Sequence, residues 1–186
     1  MKKTKIYIGV GHGGTDSGAV GIGGATEREV NLSIAEIVAK GLENLGYNVI
    51  ISRTDNVTTK NTAAKVNEAV ARGCDVMFDI HMNAFNGTAS GCEVYRPSNY
   101  APAKNVATDI CRNIAKYLNI RNRGEKTRTM NSNGKTVDYY GVTRFPGKYG
   151  GYLVEVCFID NDGDMRKFNA GLAAAAILQT IEKFYL

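Results

Sequence analysis

Short apolar runs alternate with longer segments of helical period along this chain, and that alternation restricts the fold more than any other feature. Lys5-Ile6-Tyr7-Ile8-Gly9-Val10, Asn48-Val49-Ile50-Ile51-Ser52 and Val76-Met77-Phe78-Asp79-Ile80-His81 have strand length and are apolar enough to be covered on both faces, as parallel strands are. Between the first two, Val30, Ile34, Ile37, Val38, Leu42 and Leu45 recur at steps of three and four, which is one helix face closed by Gly46. Further helices are predicted over about 60–72, 102–118 and 163–184, and further strands over about 91–96, 138–143 and 152–158. Residues 121–136 are polar, basic and aperiodic, and read as an exposed loop or two short turns. The expected fold is an α/β domain of three layers, in which helices flank a twisted, mostly parallel sheet of about six strands.

At 186 residues the chain is expected to form one domain, 1–186, with a full hydrophobic core. The net charge of +5 is spread among 23 basic and 18 acidic residues, which argues against a nucleic-acid footprint. No apolar stretch reaches the 18 residues that suggest a membrane helix. The basic start is followed by an apolar segment that breaks at Gly9 and lacks a cleavage site, so a first strand is the better reading than a signal peptide. Synthesis in the cytoplasm without a signal peptide is the expectation. Cys74, Cys92, Cys111 and Cys157 form no C-x-x-C pair and read as buried free thiols, not as a disulfide framework.

Only two histidines occur, His12 and His81, and each stands at the end of an apolar strand. The carboxyl ends of strands are where open α/β sheets bind ligands, so two lone imidazoles placed there suggest a shared metal ion. Eight of the 21 glycines fall between Gly9 and Gly24. Gly9, Gly11 and Gly14 fit G-x-G-x-x-G, but the helical period begins only after Thr26 and Arg53 stands where a ribose-binding acid belongs, which weighs against a dinucleotide site. The remaining readings are a loop that turns sharply around His12 and leaves room for a bound group, or a floppy surface loop.

Two carboxylates stand out. Thr26-Glu27-Arg28-Glu29 is a capping box in which Glu29 reaches back to the cap, leaving Glu27 to project from the helix N-terminus near His12. A His–Glu–His set with water in the fourth position is a common catalytic zinc site; the plain alternative for Glu27 is a solvated acid favoured by the helix dipole. Glu155 lies within Leu153-Val154-Glu155-Val156-Cys157-Phe158, where an unpaired carboxylate costs several kcal/mol. It is a candidate for acid–base work with a raised pKa, unless its strand is an edge that reaches water.

Taken together, these motifs resemble the zinc-dependent N-acetylmuramoyl-L-alanine amidases of the type-3 amidase family, which cut bacterial peptidoglycan. The resemblance is carried by Gly11-His12-Gly13-Gly14-Thr15-Asp16-Ser17-Gly18-Ala19, Glu27-Arg28-Glu29-Val30-Asn31-Leu32, Ser52-Arg53-Thr54-Asp55, His81-Met82-Asn83-Ala84, Gly91-Cys92-Glu93-Val94-Tyr95, Arg123-Gly124 and Leu153 to Asn161. The Val-Cys-Phe form of the last motif is similar to phage endolysin catalytic domains. Gly9-Val10 departs from the Asp-Pro that many members carry before the Gly-His.

The resemblance implies His12, Glu27 and His81 as zinc ligands and Glu155 as the catalytic glutamate. It implies hydrolysis of the amide between N-acetylmuramic acid and L-alanine by zinc-activated water, with Glu155 as general base. Substrate contacts are expected from Asn83, which shares the side of His81 if its strand continues. They are also expected from Arg123 and Lys126, which would meet peptide carboxylates or anionic wall polymers unless their loop is simply solvated. The expected partner is peptidoglycan, met by a monomer with no separate wall-binding domain and no nucleic acid or membrane span. The competing functions are another zinc hydrolase acting on wall peptides or acetyl groups, and a non-catalytic wall-binding module.

Overall fold

The computed structural model describes residues 3–185; Met1, Lys2 and Leu186 lie outside them. In chain order the elements are β1 (Lys5–Val10), α1 (Glu27–Asn44), β2 (Asn48–Ile51), α2 (Thr62–Ala71), β3 (Val76–Asn83), β4 (Cys92–Tyr95), α3 (Ala103–Leu118), β5 (Asn122–Lys126), β6 (Thr129–Ser132), β7 (Lys135–Asp138), β8 (Gly151–Phe158), α4 (Asp162–Met165) and α5 (Ala170–Tyr185). Six strands form one sheet in the order β2-β1-β3-β8-β4-β5, and β6 and β7 form a separate hairpin. β2, β1, β3 and β8 run parallel, while β4 lies antiparallel to β8 and parallel to β5. The expected three-layer α/β fold is the one observed.

The strand period of two sorts the sheet into unlike faces. Ile6, Ile8, Val10, Phe78, Ile80, Tyr152 and Val154 form one core with α1, α3 and α5. Tyr7, Met77 and Leu153 face the other way, into a smaller cluster with Ala69 of α2 and with Val142 and Phe145. Among the described residues that second face is therefore covered by α2 and by the 139–146 segment, which leaves part of it open. Thr4 Oγ1 donates to the Tyr185 carbonyl at 3.2 Å, so the start of β1 meets the end of α5.

Three expectations need correction. The 121–136 stretch is not a loop: β5 adds to the sheet beside β4, and β6–β7 is a hairpin. The hairpin turns at Asn133-Gly134, both at positive φ (51° and 76°), and Asn-Gly is the usual pair for such a two-residue turn. The strand expected over 138–143 ends at Asp138, after which the chain forms a 3-10 turn at Val142–Arg144. Arg144 Nη1 donates to the carbonyls of Asp138 and Tyr139, at 2.6 and 3.1 Å, so the backbone is satisfied there without a ladder. The final helix is two, because Asn169 caps the second through Oδ1 and the Leu172 N–H (3.0 Å).

Candidate active site

The capping box forms as read: Glu29 Oε2 accepts from the Thr26 hydroxyl at 2.6 Å and from its N–H at 3.4 Å. That fixes the first turn of α1 so that Glu27 turns inward, where it is buried. Glu27 Oε2 lies 3.1 Å from His12 Nε2, and Oε1 lies 3.0 Å from His81 Nδ1. Backbone N–H groups of Ala19 and Met82 donate to the same carboxylate, at 3.0 and 3.1 Å. The structure thus brings together all three expected ligands. One ligand atom from each lies within 4.8 Å of the others.

Two imidazoles and a carboxylate are the donor set of a catalytic zinc site. The 3.1 and 3.0 Å spacings are close to the edge of a tetrahedron built on zinc–nitrogen bonds, about 3.3 Å. Outer partners orient both rings. Asp16 Oδ2 lies 2.9 Å from His12 Nδ1, which leaves Nε2 to face the cluster. Asp79 Oδ2 lies 3.6 Å from His81 Nε2 and is itself paired with the buried Lys65, 2.8 Å from its Nζ. Such partners set which ring nitrogen meets a metal.

The cluster is strongly coupled. Burial alone would raise the Glu27 pKa, yet hydrogen bonds from His12 and His81 hold it well below the usual carboxylate range. The hydrogen bond to Glu27 raises the His12 pKa against burial. Burial works to lower that of His81, but Asp79 and Glu27 outweigh it and push it up to about 10. The carboxylate thus favours the protonated imidazoles, and any metal bound at these nitrogens has to compete with protons for them.

The glycine loop serves close approach and does not open a helix at Gly14, so the dinucleotide reading falls away. His12 itself adopts the left-handed region (φ 59°). At Gly18 a Cβ would meet the His12 ring and Glu27 at 2.6–2.8 Å. At Gly9 a Cβ would run into the Asp79 carboxylate, which accounts for glycine at that departure from the family pattern. Arg53 holds the loop, donating from Nε to the His12 carbonyl (2.8 Å) and from Nη2 to those of Gly11 and Arg28 (3.0 and 2.7 Å).

Glu155 is the register partner of His81 on β3 and of Glu93 on β4. Its strand is paired on both sides, so it is no edge. Its Oε2 is buried without a hydrogen-bond partner. Burial pushes its pKa up to about 7, with Glu27, Glu93 and Asp79 adding to the rise and His81 opposing it. Glu155 and His81 line a cleft of about 180 Å³ with Thr62, Tyr140, Gly141 and Val142.

Asn83, Arg123 and Lys126 converge on Glu93, which the sequence reading passed over. Asn83 Nδ2 donates to its Oε1 at 2.8 Å, and Arg123 Nε and Lys126 Nζ reach Oε2 at 2.7 and 2.9 Å. β3 does continue to Asn83, with a register irregularity after His81. All four cysteines are buried and free.

The profile of the N-acetylmuramoyl-L-alanine amidase family (Amidase_3) matches residues 6–183. The chain belongs to that family. It is 34% identical to the N-acetylmuramoyl-L-alanine amidase LytC of Bacillus subtilis over 97% of its own length, spanning 35% of that protein. Among solved structures it is similar to an N-acetylmuramoyl-L-alanine amidase from Clostridium difficile 630, with a TM-score of 0.84, 25% identity and coverage of 99% and 97% of the two chains. It is also similar to the catalytic domain of the CD27L endolysin targeting Clostridia Difficile, with a TM-score of 0.76, 27% identity and coverage of 98% and 99%. Asp16, Lys65, Asp79 and Glu93 are the residues to which the sequence reading gave no role, although Asp16 and Glu93 stand within the motifs that carry the resemblance. Asp79 gave a signal: it is a charge inside an apolar strand, two residues before His81 and so on the same face.

Proposed function

We propose that this chain hydrolyses the amide joining N-acetylmuramic acid to L-alanine in peptidoglycan, with zinc held by His12, Glu27 and His81. The observation that carries this reading is Glu155: a half-buried carboxylate with one enclosed, unpartnered oxygen and a pKa pushed up to about 7, one strand from His81. When bound, the ion supplies Lewis acidity, which acidifies water and polarises the amide carbonyl. Glu155 accepts the proton of the attacking water and then delivers it to the departing alanine nitrogen. A carboxyl with a pKa near the working pH suits both transfers. Asp16 and Asp79 keep the imidazoles in the tautomers that face the cluster. Glu93, held by Asn83, Arg123 and Lys126, braces the floor beside Glu155. The partner is the cell-wall polymer, on which the chain acts as a single catalytic domain.

Mass spectrometry of digested peptidoglycan tests the reading. The expected products are stem peptides with a free N-terminal L-alanine, formed with zinc and absent with chelator. Shortened stems with the lactyl amide intact, or acetate release, would replace it with a peptidase or deacetylase. Cosedimentation with walls and no new amine would leave only a binding module.

A further inference from the structure

The cleft holding Glu155 and His81 does not end at the catalytic residues. It shares Thr62 and Gly141 with a second compartment of about 520 Å³ between the start of α2 and the 3-10 turn at Val142–Arg144. Asn61, Thr62 and Asn67 form one wall of this compartment and Arg144 stands on the other. The helix-side wall is neutral, with Ala63 and Val66 beside these three hydrogen-bonding side chains. Arg144 is the one ionisable side chain lining the compartment, and it makes no ion pair among the described residues. It is not loose either. Its Nη1 is tied to two backbone carbonyls, at 2.6 and 3.1 Å, while Nε and Nη2 have no hydrogen-bond partner among the described residues. A guanidinium pinned in this way has already lost much of the freedom that binding an anion would cost.

We propose that this compartment receives the peptide stem of the substrate and that Arg144 binds the carboxylate of the residue following the alanine. The inference rests on the amidase reading and adds to it a peptide subsite with a charge requirement. The two spaces adjoin: both are lined by Thr62 and Gly141, so a peptide leaving the catalytic cleft passes into the compartment that Arg144 lines. The chemistry favours the peptide over the glycan, because N-acetylated sugars offer no anion once the lactyl group is engaged in the amide. A stem peptide offers backbone amides for Asn61 and Asn67 and carboxylates for the guanidinium.

The test uses the zinc-loaded chain and two soluble muramoyl dipeptides that differ only in whether the second residue carries a free carboxylate or a carboxamide. The chain should prefer the carboxylate in kcat/KM by about tenfold or more, the worth of one charge-assisted hydrogen bond. Arg144→Gln should abolish that preference. If this variant does not fold, Asn67→Asp carries the test: a carboxylate lining the same compartment repels the substrate anion and should abolish the preference too. Equal use of both substrates by the unaltered chain would overturn the subsite, as would a folded variant that keeps the preference. Cleavage of neither dipeptide, nor of whole peptidoglycan, would sink the amidase reading and the subsite with it.

Discussion

On one face of the sheet Ile6, Ile8, Phe78, Ile80, Tyr152 and Val154 lie fully buried beneath α1, α3 and α5. On the other, β3 and β8 present Asp79, His81 and Glu155, with Glu93 alongside on β4. Both faces come from the same strands, one residue out of phase. The closed face is bound by non-directional burial, at about 25 cal/mol for each Å² removed from water. The open face pays for its chemistry with buried carboxylates that each need partners: Lys65 for Asp79, two imidazoles for Glu27, Arg123 and Lys126 for Glu93. Glu155 is the member left unmatched, and it is the one assigned the proton transfers.

This contrast can be broken by experiment. Replacing the unmatched acid should have the largest effect: Glu155→Gln is expected to lower kcat by about 10²–10⁴ while zinc content, read by elemental analysis, stays at the unaltered level. The same variant should be more stable. A carboxyl whose folded pKa is raised to about 7 costs stability above that pH and costs nothing below its unfolded value. Urea denaturation should therefore show Glu155→Gln ahead by about 1–3 kcal/mol at pH 8, with the gain shrinking as the pH falls toward 4.5. A fully lytic variant, or one without the alkaline gain, would remove Glu155 from its role.

Next come paired cuts of similar cost on the two faces. Leu42→Ala, beneath the closed face, should lose about 2–5 kcal/mol with zinc affinity unchanged. Lys65→Met, which strands the buried Asp79, should lose about 3–5 kcal/mol and also alter zinc binding through His81. If the two variants bind zinc alike, the division of labour between the faces is wrong. A smaller effect is expected from Asp16→Asn, which weakens the support of His12; competition with a fluorescent chelator should report about a tenfold loss of zinc affinity.

The subtlest expectation concerns pH. The proposed mechanism requires ionised Glu155, so activity should be lost as pH falls through its pKa. Glu93 is one of the charges that raise it, so Glu93→Gln should move the acid limb of kcat/KM to lower pH. A limb that stays in place would mean that Glu93 only braces the floor.

The fold and the gathering of His12, Glu27 and His81 were largely legible because each rests on a local rule. Apolar runs of strand length marked β1, β2, β3 and β8. The capping box separated the structural Glu29 from the inward-facing Glu27, and an acid in an apolar strand marked Glu155. What was missed depends on pairing between distant segments. Nothing near Lys65 announces that it lies against Asp79, and β5 is strand only because β4 offers it an open edge. The β6–β7 hairpin is the exception, since Asn133-Gly134 gave its turn locally but was submerged in the polar run around it. Glu93 was hidden for the opposite reason: in an alternating strand a polar residue is the expected thing.

The hydrogen bond from Thr4 to the Tyr185 carbonyl brings the two ends of the described fold to one point, at the starting edge of β1 and so opposite the edge that carries His12. Anything fused at either end would share a single attachment point behind the catalytic cleft. The domain would swing from that point like a tool on a leash, with its working edge outward, and an anchor added at one end or the other would leave it the same access to an extended polymer.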